Sequence, residues 1–165
     1  MIIGVISDTH IPATAKRIPE TIIDAFRKVD MVIHAGDMIG LEAIEELKAV
    51  CPKVIAVAGN MDNQEVRLQY PLKELFKVGN FKVGLMHGFG APANLISVLE
   101  DAFKLDKPDL IIFGHSHKPF NERVNGVLFF NPGSATDTIT AEYNSYGLIE
   151  ITDQINARIV RIQNG

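Results

Sequence analysis

The sequence predicts an α/β fold in which two mixed β-sheets pack together with helices outside. In the first half of the chain, apolar strand-like runs alternate with helical stripes, a pattern typical of parallel strands with right-handed crossovers. In the second half, the pair Asn125-Gly126 separates two strand-like runs and predicts a type I′ hairpin. Parallel units followed by hairpins favour two packed sheets over one open sheet.

The first half is predicted to hold three strands and two helices. The strands cover residues 2–7, 31–33 and 54–57. Pro19 and Glu20 suit a first helical turn, and Pro52 ends a second helix over residues 40–50. The apolar faces of these helices are formed by Ile22, Ile23, Phe26 and Val29, and by Leu41, Ile44 and Leu47.

The second half is predicted to hold one helix and six strands. The helix follows from a stripe of Leu95, Val98, Leu99, Ala102 and Phe103 before Pro108. The strands cover residues 81–86, 110–113, 122–124, 127–130, 146–152 and 155–162. Repeats, low-complexity tracts and linkers are not evident, so we expect one domain over residues 1–165.

Composition narrows the classes of function. The chain has 165 residues and a net charge of -4, with 16 basic and 20 acidic residues. Basic residues do not cluster, which argues against sequence-independent binding of nucleic acid. Cys51 is the single cysteine, and the first residues lack the features of a signal peptide, so we expect a cytoplasmic protein. Apolar runs do not reach transmembrane length, so we expect no membrane association.

Five short polar segments follow the apolar runs and carry four of the five histidines. The segments are Asp8-Thr9-His10, Gly36-Asp37, Gly59-Asn60, His87-Gly88 and Gly114-His115-Ser116-His117. In open α/β sheets, ligands gather beyond the carboxyl ends of strands, so these segments predict one shared site. Imidazole and oxygen ligands without thiolate suit a catalytic cation better than a structural zinc site.

Each of these residues also has an ordinary structural interpretation when it is taken singly. The histidines would be buried or turn residues, Asp8 and Asp37 would be helix N-caps, and Asn60 would be a turn residue. We interpret His34 as a packing residue or as a partner of a ligand rather than as a ligand. Asp62 is interpreted as a cap or as an acceptor beside the site.

In their order along the chain, these segments resemble the motifs of the calcineurin-like metallophosphoesterases. The closer resemblance is to their small single-domain branch of bacterial and archaeal phosphodiesterases. The motifs D-x-H, G-D, G-N, H-G and G-H-x-H all occur, and the segment 131–134 (Asn-Pro-Gly-Ser) also matches this branch. The resemblance implies a four-layer α/β/β/α sandwich of two mixed β-sheets flanked by helices.

The resemblance also implies a dinuclear metal centre and its ligands. One divalent ion would be held by Asp8, His10 and His117, the other by Asn60, His87 and His115, with Asp37 as the bridge. Phosphate esters, with phosphodiesters favoured, would be hydrolysed by a metal-bound hydroxide, so that Asp37, Asn60 and His87 act through the metals. Asn60 and Ser134 are the candidate substrate contacts. We expect Mn²⁺ to support activity in vitro, with Ni, Fe, Zn or Mg as alternatives.

Two departures from the family pattern bear on the reaction. Many relatives carry histidine directly after the motif asparagine, whereas this chain has Met61, which cannot donate a proton to a leaving oxygen. Small phosphodiesters or activated esters are therefore the expected substrates. Relatives also often carry an arginine shortly after the segment 131–134, whereas residues 135–138 are Ala-Thr-Asp-Thr here.

Two competing functions are weighed against the enzyme. A eukaryotic retromer subunit of this family is a non-catalytic scaffold with a degenerate metal site, whereas all seven expected ligands are present here. A nuclease is disfavoured by the acidic balance of the chain. Self-association is common among relatives, so a homo-oligomer is a further expectation.

Overall fold

The computed structural model describes residues 1–162, which form strands and helices in regular alternation. In chain order these are β1 (Ile2–Ile6), α1 (Glu20–Phe26), β2 (Met31–His34), α2 (Glu42–Val50), β3 (Val54–Ala56), α3 (Gln64–Gln69), β4 (Lys73–Val78), β5 (Phe81–Met86), α4 (Leu95–Phe103), β6 (Leu110–Ile112), β7 (Phe120–Val124), β8 (Val127–Asn131), β9 (Ser145–Ile151) and β10 (Ile155–Arg161). A short 3₁₀ turn at Pro92–Asn94 leads into α4.

The strands form two mixed sheets of five strands each. The first sheet has the order β10-β9-β1-β2-β3, and the second has the order β4-β5-β6-β8-β7. Strands β1, β2 and β3 run parallel, as do β5, β6 and β8, while the remaining strands add antiparallel edges. The carboxyl ends of the parallel strands therefore lie at one edge of each sheet.

The buried residues divide into three layers of packing, which confirm the four-layer sandwich. Between the sheets, apolar residues of both inner faces pack together, among them Val5 and Ile33 from the first and Leu85 and Phe130 from the second. On the outer face of the first sheet lie the apolar sides of α1, α2 and α3. On the outer face of the second sheet lies α4, through Leu95, Leu99 and Phe103. Residues of both sheets thus share one central core.

The hairpin and most elements lie where the sequence predicts them, with two exceptions. Asn125 and Gly126 have φ of 50° and 86°, the two left-handed residues that a type I′ turn requires. Two short elements, α3 and β4, were not expected. Strand β4 is an edge strand with alternating exposed residues, and α3 has only six residues, so neither carries a long apolar pattern. In the second half, β7 begins two residues earlier than predicted, at Phe120.

Within residues 1–162, the longest helices have nine residues, and none is long and apolar enough to cross a membrane.

Candidate metal centre

The seven predicted ligands all follow the carboxyl ends of parallel strands. Asp8 and His10 follow β1, Asp37 follows β2, Asn60 follows β3, His87 follows β5, and His115 and His117 follow β6. Backbone hydrogen bonds between these loops hold them together, for example from Asp8 N to Gly36 O and from Gly114 N to His87 O. The site therefore lies where the carboxyl edges of the two sheets meet.

One group of side chains is formed by Asp8, His10 and His117. Asp8 Oδ1 lies 3.3 Å from His117 Nε2 and 3.8 Å from His10 Nε2. The two Nε2 atoms lie 3.3 Å apart. These are the three residues expected to hold the first metal ion, and their ligand atoms are close enough to share one cation.

A second group is formed by Asp8, Asp37 and His87. His87 Nε2 lies 3.2 Å from Asp37 Oδ2 and 3.8 Å from Asp8 Oδ1. Asp8 is therefore common to both groups. The bridging role expected for Asp37 stays a prediction. Asp37 also faces the first group, because its Oδ2 atom lies 4.0 Å from His10 Nε2.

Asn60 and His115 stand together beside the second group. Asn60 Oδ1 lies 3.0 Å from His115 Nδ1, and the ring of His115 packs edge-on against His87 with centroids 5.4 Å apart. Asn60 is exposed, unlike the buried Asp8 and Asp37. These two residues complete the set that the motifs predicted.

In three histidines, the outer ring nitrogen, which faces away from the other candidate ligands, contacts a group that can only accept a hydrogen bond. Nδ1 of His87 contacts Ala35 O at 2.7 Å, Nε2 of His115 contacts Gly90 O at 2.8 Å, and Nδ1 of His117 contacts Asp137 Oδ2 at 2.5 Å. Because its partner only accepts, each outer nitrogen must carry a proton. In the neutral ring, the inner nitrogen, which faces the other candidate ligands, then has the lone pair.

In the neutral rings, the inner nitrogens therefore point lone pairs at oxygen atoms, which is the arrangement that a bound cation requires. Among the described residues, two buried atoms have no hydrogen-bond partner, and both belong to the site: Asp8 Oδ1 and His87 Nε2. Burying unpaired polar atoms is costly unless a ligand satisfies them. The donor set thus fits divalent metal ions of the kind that bind imidazole and oxygen together.

Without a cation, protons on the histidines balance part of the negative charge of the carboxylates, and the pKa values of both kinds of residue shift. Burial disfavours the charged form of His87, but the carboxylates of Asp37 and Asp8 outweigh it and raise its pKa to about 9. Contact with Asp8 raises the pKa of His117, also to about 9. Burial would raise the pKa of both Asp8 and Asp37, yet the neighbouring histidines hold the pKa of each carboxyl below its usual range.

The backbone of the site is unusual for residues other than glycine. Five of the seven candidate ligands have left-handed φ: 52° at Asp8, 43° at His10, 56° at Asp37, 70° at His115 and 56° at His117. Asp and His tolerate this region better than most residues, but it still costs free energy. Clustering of this strain at one place is typical of a functional site.

Two glycines allow the loops to approach each other closely. A Cβ atom on Gly59 would lie 2.2 Å from Asp37 Oδ1, and one on Gly114 would lie 2.0 Å from Ser7 Oγ and 2.8 Å from Asp8 Oδ2. Glycine permits such a close approach because it has no Cβ atom. In the structure, these two glycines leave room for the carboxylates of Asp37 and Asp8.

The structural alternatives for single residues are resolved by their contacts. The N-cap residues of α1 and α2 are Pro19 and Leu41, so neither Asp8 nor Asp37 caps a helix. His34 is buried, accepts the N–H of Gly36 at Nδ1 and lies 2.9 Å from Thr9 Oγ1. Its burial lowers its pKa to about 4, so it packs beside the site as a neutral ring.

Ser134 does not lie where a substrate contact was expected. Its side chain is fully buried, donates to Asp8 O at 2.8 Å and accepts the N–H of Asp137 at 3.0 Å. Asn131 is also buried and donates to Gly114 O at 2.8 Å. The segment 131–134 therefore holds the loops of Asp8 and His115 in place, because its polar groups are used within the protein.

Asp62 joins two loops of the site through its carboxylate. It accepts the N–H groups of Gly59 at 2.6 Å, Ile39 at 2.6 Å and Asp37 at 3.1 Å, and it is 5% exposed. The interpretation as an acceptor beside the site fits these contacts; the cap of α3 is the neighbouring Asn63.

Replacing Asp62 by alanine is expected to lower the free energy of unfolding by about 3 kcal/mol or more, because three backbone N–H groups lose their buried acceptor. Urea denaturation of the metal-free protein measures this. Asp109 is a matched control, since it is exposed and its carboxylate accepts one backbone N–H group, that of Lys82, at 2.7 Å. The Asp109→Ala variant should lose about 1 kcal/mol or less. Equal losses in the two variants would contradict the role assigned to Asp62.

Asp137 is a residue of the site that no sequence motif indicates. It lies in the segment where relatives often carry an arginine, and its carboxylate contacts His117 Nδ1 and the hydroxyl of Thr140. Burial would raise the pKa of Asp137, but the hydrogen bonds of Thr140 and His117 outweigh it and hold that pKa below its usual range. The signal in the sequence is weak: an Asp followed by Thr three residues later is a common turn pattern.

Comparison with known proteins gives relatives of similar length. A family model described as a calcineurin-like phosphoesterase superfamily domain matches residues 1–154. A probable metallophosphoesterase of Methanothermobacter thermautotrophicus is 37% identical over 161 residues, which is 98% of this chain and 92% of the relative. A phosphodiesterase of Methanocaldococcus jannaschii is 33% identical over 153 residues, covering 85% of this chain and 87% of the relative.

A solved structure extends the comparison to the fold. The crystal structure of wild-type Vps29 from Entamoeba histolytica, complexed with Zn²⁺, superposes with a TM-score of 0.77. It is 28% identical, and the match covers 98% of this chain and 99% of that one.

Proposed function

The chain belongs to the calcineurin-like phosphoesterase superfamily, and from this premise we propose that it hydrolyses phosphodiesters at a centre of two divalent metal ions. The observation that carries the proposal is the set of histidine nitrogens and carboxylate oxygens that converge with their lone pairs on one another. One group, Asp8, His10 and His117, would hold the first ion. Asn60, His87 and His115 would hold the second, with Asp37 and Asp8 facing both.

When bound by these residues, two divalent ions would provide the Lewis acidity that activates water and offsets the charge of a phosphate. The chain's own contribution is to hold the ligands in place and to control the local charge. Asp8 and Asp37 are the two carboxylates among the seven ligands, while Asn60 and the four histidines are neutral in the ligand state. The site therefore stays electropositive when loaded, which favours an anionic substrate in a protein of net charge -4.

Asn60 is the ligand that is best placed to meet a substrate. Its side chain is exposed, whereas Asp8, Asp37 and His87 are buried. We therefore keep Asn60 as a proposed substrate contact and assign Ser134 to the support of Asp8.

The residue beside Asn60 supports a preference for diesters with good leaving groups. Met61 is 56% exposed at the rim of the site, and its N–H donates to Asp37 Oδ1 at 2.7 Å. A thioether cannot protonate a leaving oxygen, so the chain offers no acid at this position.

Replacing Met61 by histidine is expected to raise turnover of esters with poor leaving groups by roughly 10²-fold, the lower range for general acid catalysis. The measurement is the dependence of kcat on leaving-group pKa for a series of aryl phosphate esters. The slope should flatten in Met61→His. An exposed control away from the site is Leu68→His, which should leave the slope unchanged. An unchanged slope in both variants would show that the acid is not what limits turnover.

The proposed function is tested by removing metal with a chelator and adding back Mn²⁺. The purified protein would be assayed against a chromogenic diester, a monoester and single-stranded DNA, with metal content measured in parallel. Mn²⁺-dependent hydrolysis of the diester in preference to the other two is the expected result. Absence of metal-dependent hydrolysis on a wider panel that includes cyclic nucleotides would overturn the enzyme assignment.

A scaffold or binding module is the second candidate function. The observation that favours it is the close match of the fold to Vps29, a protein named for vacuolar sorting. Since that Vps29 structure contains Zn²⁺, metal binding alone does not separate the two candidates. Metal-dependent turnover of a phosphate ester separates them. The complete set of seven candidate ligands supports the enzyme.

We further propose a small-molecule diester as the substrate and the cytoplasm as the compartment. Nucleic acid is disfavoured by the acidic balance of the chain, and self-association stays a prediction that sedimentation of the purified protein would test.

A further inference from the structure

Among the described residues, His117 and Asp137 form the shortest contact between a candidate ligand and a residue outside the ligand set. Asp137 Oδ2 lies 2.5 Å from His117 Nδ1, the ring nitrogen that faces away from Asp8 and His10. Thr140 Oγ1 is a second neighbour of the same nitrogen, at 3.1 Å. The ring is therefore held from behind by a carboxylate and a hydroxyl.

The carboxylate of Asp137 is itself held firmly. Its Oδ1 accepts the N–H groups of Ile139 at 2.8 Å and Thr140 at 3.1 Å, and its Oδ2 accepts that of Ala141 at 3.0 Å. Its own N–H donates to Ser134 Oγ, and its carbonyl oxygen accepts from Asn144 Nδ2 at 2.7 Å. Because Ser134 also donates to Asp8 O, one chain of hydrogen bonds links Asp137 to the loop of Asp8.

This contact decides which nitrogen of His117 carries the proton. A carboxylate only accepts, so Nδ1 keeps its hydrogen and Nε2 presents its lone pair. That lone pair points at the place shared with Asp8 Oδ1 and His10 Nε2, each 3.3 Å away. A neutral partner that donated a hydrogen bond would favour the opposite tautomer and would turn an N–H toward the ion.

We propose that Asp137 is a positioning residue that fixes the tautomer and orientation of His117 for binding a cation with Asp8 and His10. The inference rests on the proposed function in that it takes His117 to be a metal ligand. Carboxylates that orient a ligating histidine typically contribute 10- to 100-fold to metal affinity.

The test compares Asp137→Asn with Thr140→Val. The change Asp137→Asn turns one carboxylate oxygen into an NH₂ group and keeps the size of the side chain. The two backbone N–H groups on Oδ1 lie closer, at 2.8 and 3.1 Å, than the two on Oδ2, at 3.0 and 3.2 Å. The amide oxygen is therefore expected to stay at the Oδ1 place, which leaves the NH₂ group facing His117 Nδ1. A donor at that place reverses the tautomer. Thr140→Val removes the other neighbour of Nδ1 and disturbs the same loop, but it leaves the carboxylate.

Two readouts are measured on the full chain. Calorimetric titration with Mn²⁺ is expected to show about two sites in the native protein and an affinity lower by roughly 10- to 100-fold at one of them in Asp137→Asn. In metal-free protein at about pH 10, where histidine rings are neutral, ring ¹⁵N shifts are expected to place the proton of His117 on Nδ1. In Asp137→Asn, they should show a shift of the proton toward Nε2.

The outcomes separate this inference from the proposed function. Unchanged affinity and tautomer in Asp137→Asn would overturn the positioning role, even if the protein is an active enzyme. Equal losses in Thr140→Val and Asp137→Asn would also overturn it, because the effect would then belong to the loop. If the native protein binds no Mn²⁺, the proposed function fails, and the ring shifts of the metal-free protein alone decide whether Asp137 fixes the tautomer of His117.

Discussion

Replacing Asp8 by asparagine is expected to abolish metal-dependent hydrolysis and to remove metal binding by both groups of ligands. Asp8 Oδ1 is buried and unpaired among the described residues, and it faces His10, His87 and His117. Its Oδ2 is already held by Ser7 Oγ at 2.6 Å and by the N–H of His115 at 3.2 Å. An asparagine that keeps these two contacts must turn its NH₂ group toward the ligands.

The loss in kcat/KM should exceed the roughly 100-fold that removal of an orienting partner costs, because Asp8 is itself a ligand. Metal analysis after gel filtration, together with diester hydrolysis, measures both effects. Asp153→Asn is the matched control, since Asp153 lies in the exposed turn between β9 and β10 and should leave both quantities unchanged. Native-like activity in Asp8→Asn would refute the site.

Raising the pH from about 6.5 to about 9 is expected to strengthen Mn²⁺ binding by about tenfold per pH unit at each site. The pKa values of His87 and His117 are about 9 in the metal-free protein, so each ring holds an extra proton at neutral pH. A cation must displace that proton, and above a pH of about 9 the displacement is no longer required. Calorimetry in buffers of different ionisation heat should show release of about one proton per ion.

The stability of the metal-free protein should change in the opposite direction over the same range. Because the folded state raises both pKa values above the ordinary 6.5, the contribution of these imidazolium groups is fully present below pH 6.5. It is lost as the pH rises through about 9. His34 does not contribute to this change of stability, because its pKa is about 4 and it stays neutral over this pH range. Metal affinity that is independent of pH, with no proton released, would show that these two rings are not the groups displaced.

Most of the strands, the hairpin and the motif residues were accessible from the sequence. Short apolar runs marked β1, β2, β5 and β6, and the residues after each strand end identified the candidate ligands, because a strand end and its turn are local features. The two elements that were missed, α3 and β4, are short and half exposed, so their patterns are weak. These two elements are stabilised by packing against the rest of the chain, and that packing cannot be read from the sequence of one segment.

Two assignments within the site depended on contacts between distant residues. Ser134 matches a motif, but the structure turns its hydroxyl inward to Asp8, 126 positions earlier in the chain. Asp137 matches no motif, yet it is brought to His117 from 20 positions away. A sequence motif identifies residue types at given positions, but it does not give the direction of their side chains in the folded protein.

By itself, the sequence determined the class of fold through periodicity and turn residues, and the order of its motifs indicated the family and the candidate ligands. Tertiary structure alone decided that Asp8 is common to both ligand groups, that Ser134 supports a loop and that Asp137 holds His117. The physical reason is that hydrogen bonding is directional and short in range. Which donor meets which acceptor is settled only when the two sheets pack and bring their carboxyl edges together.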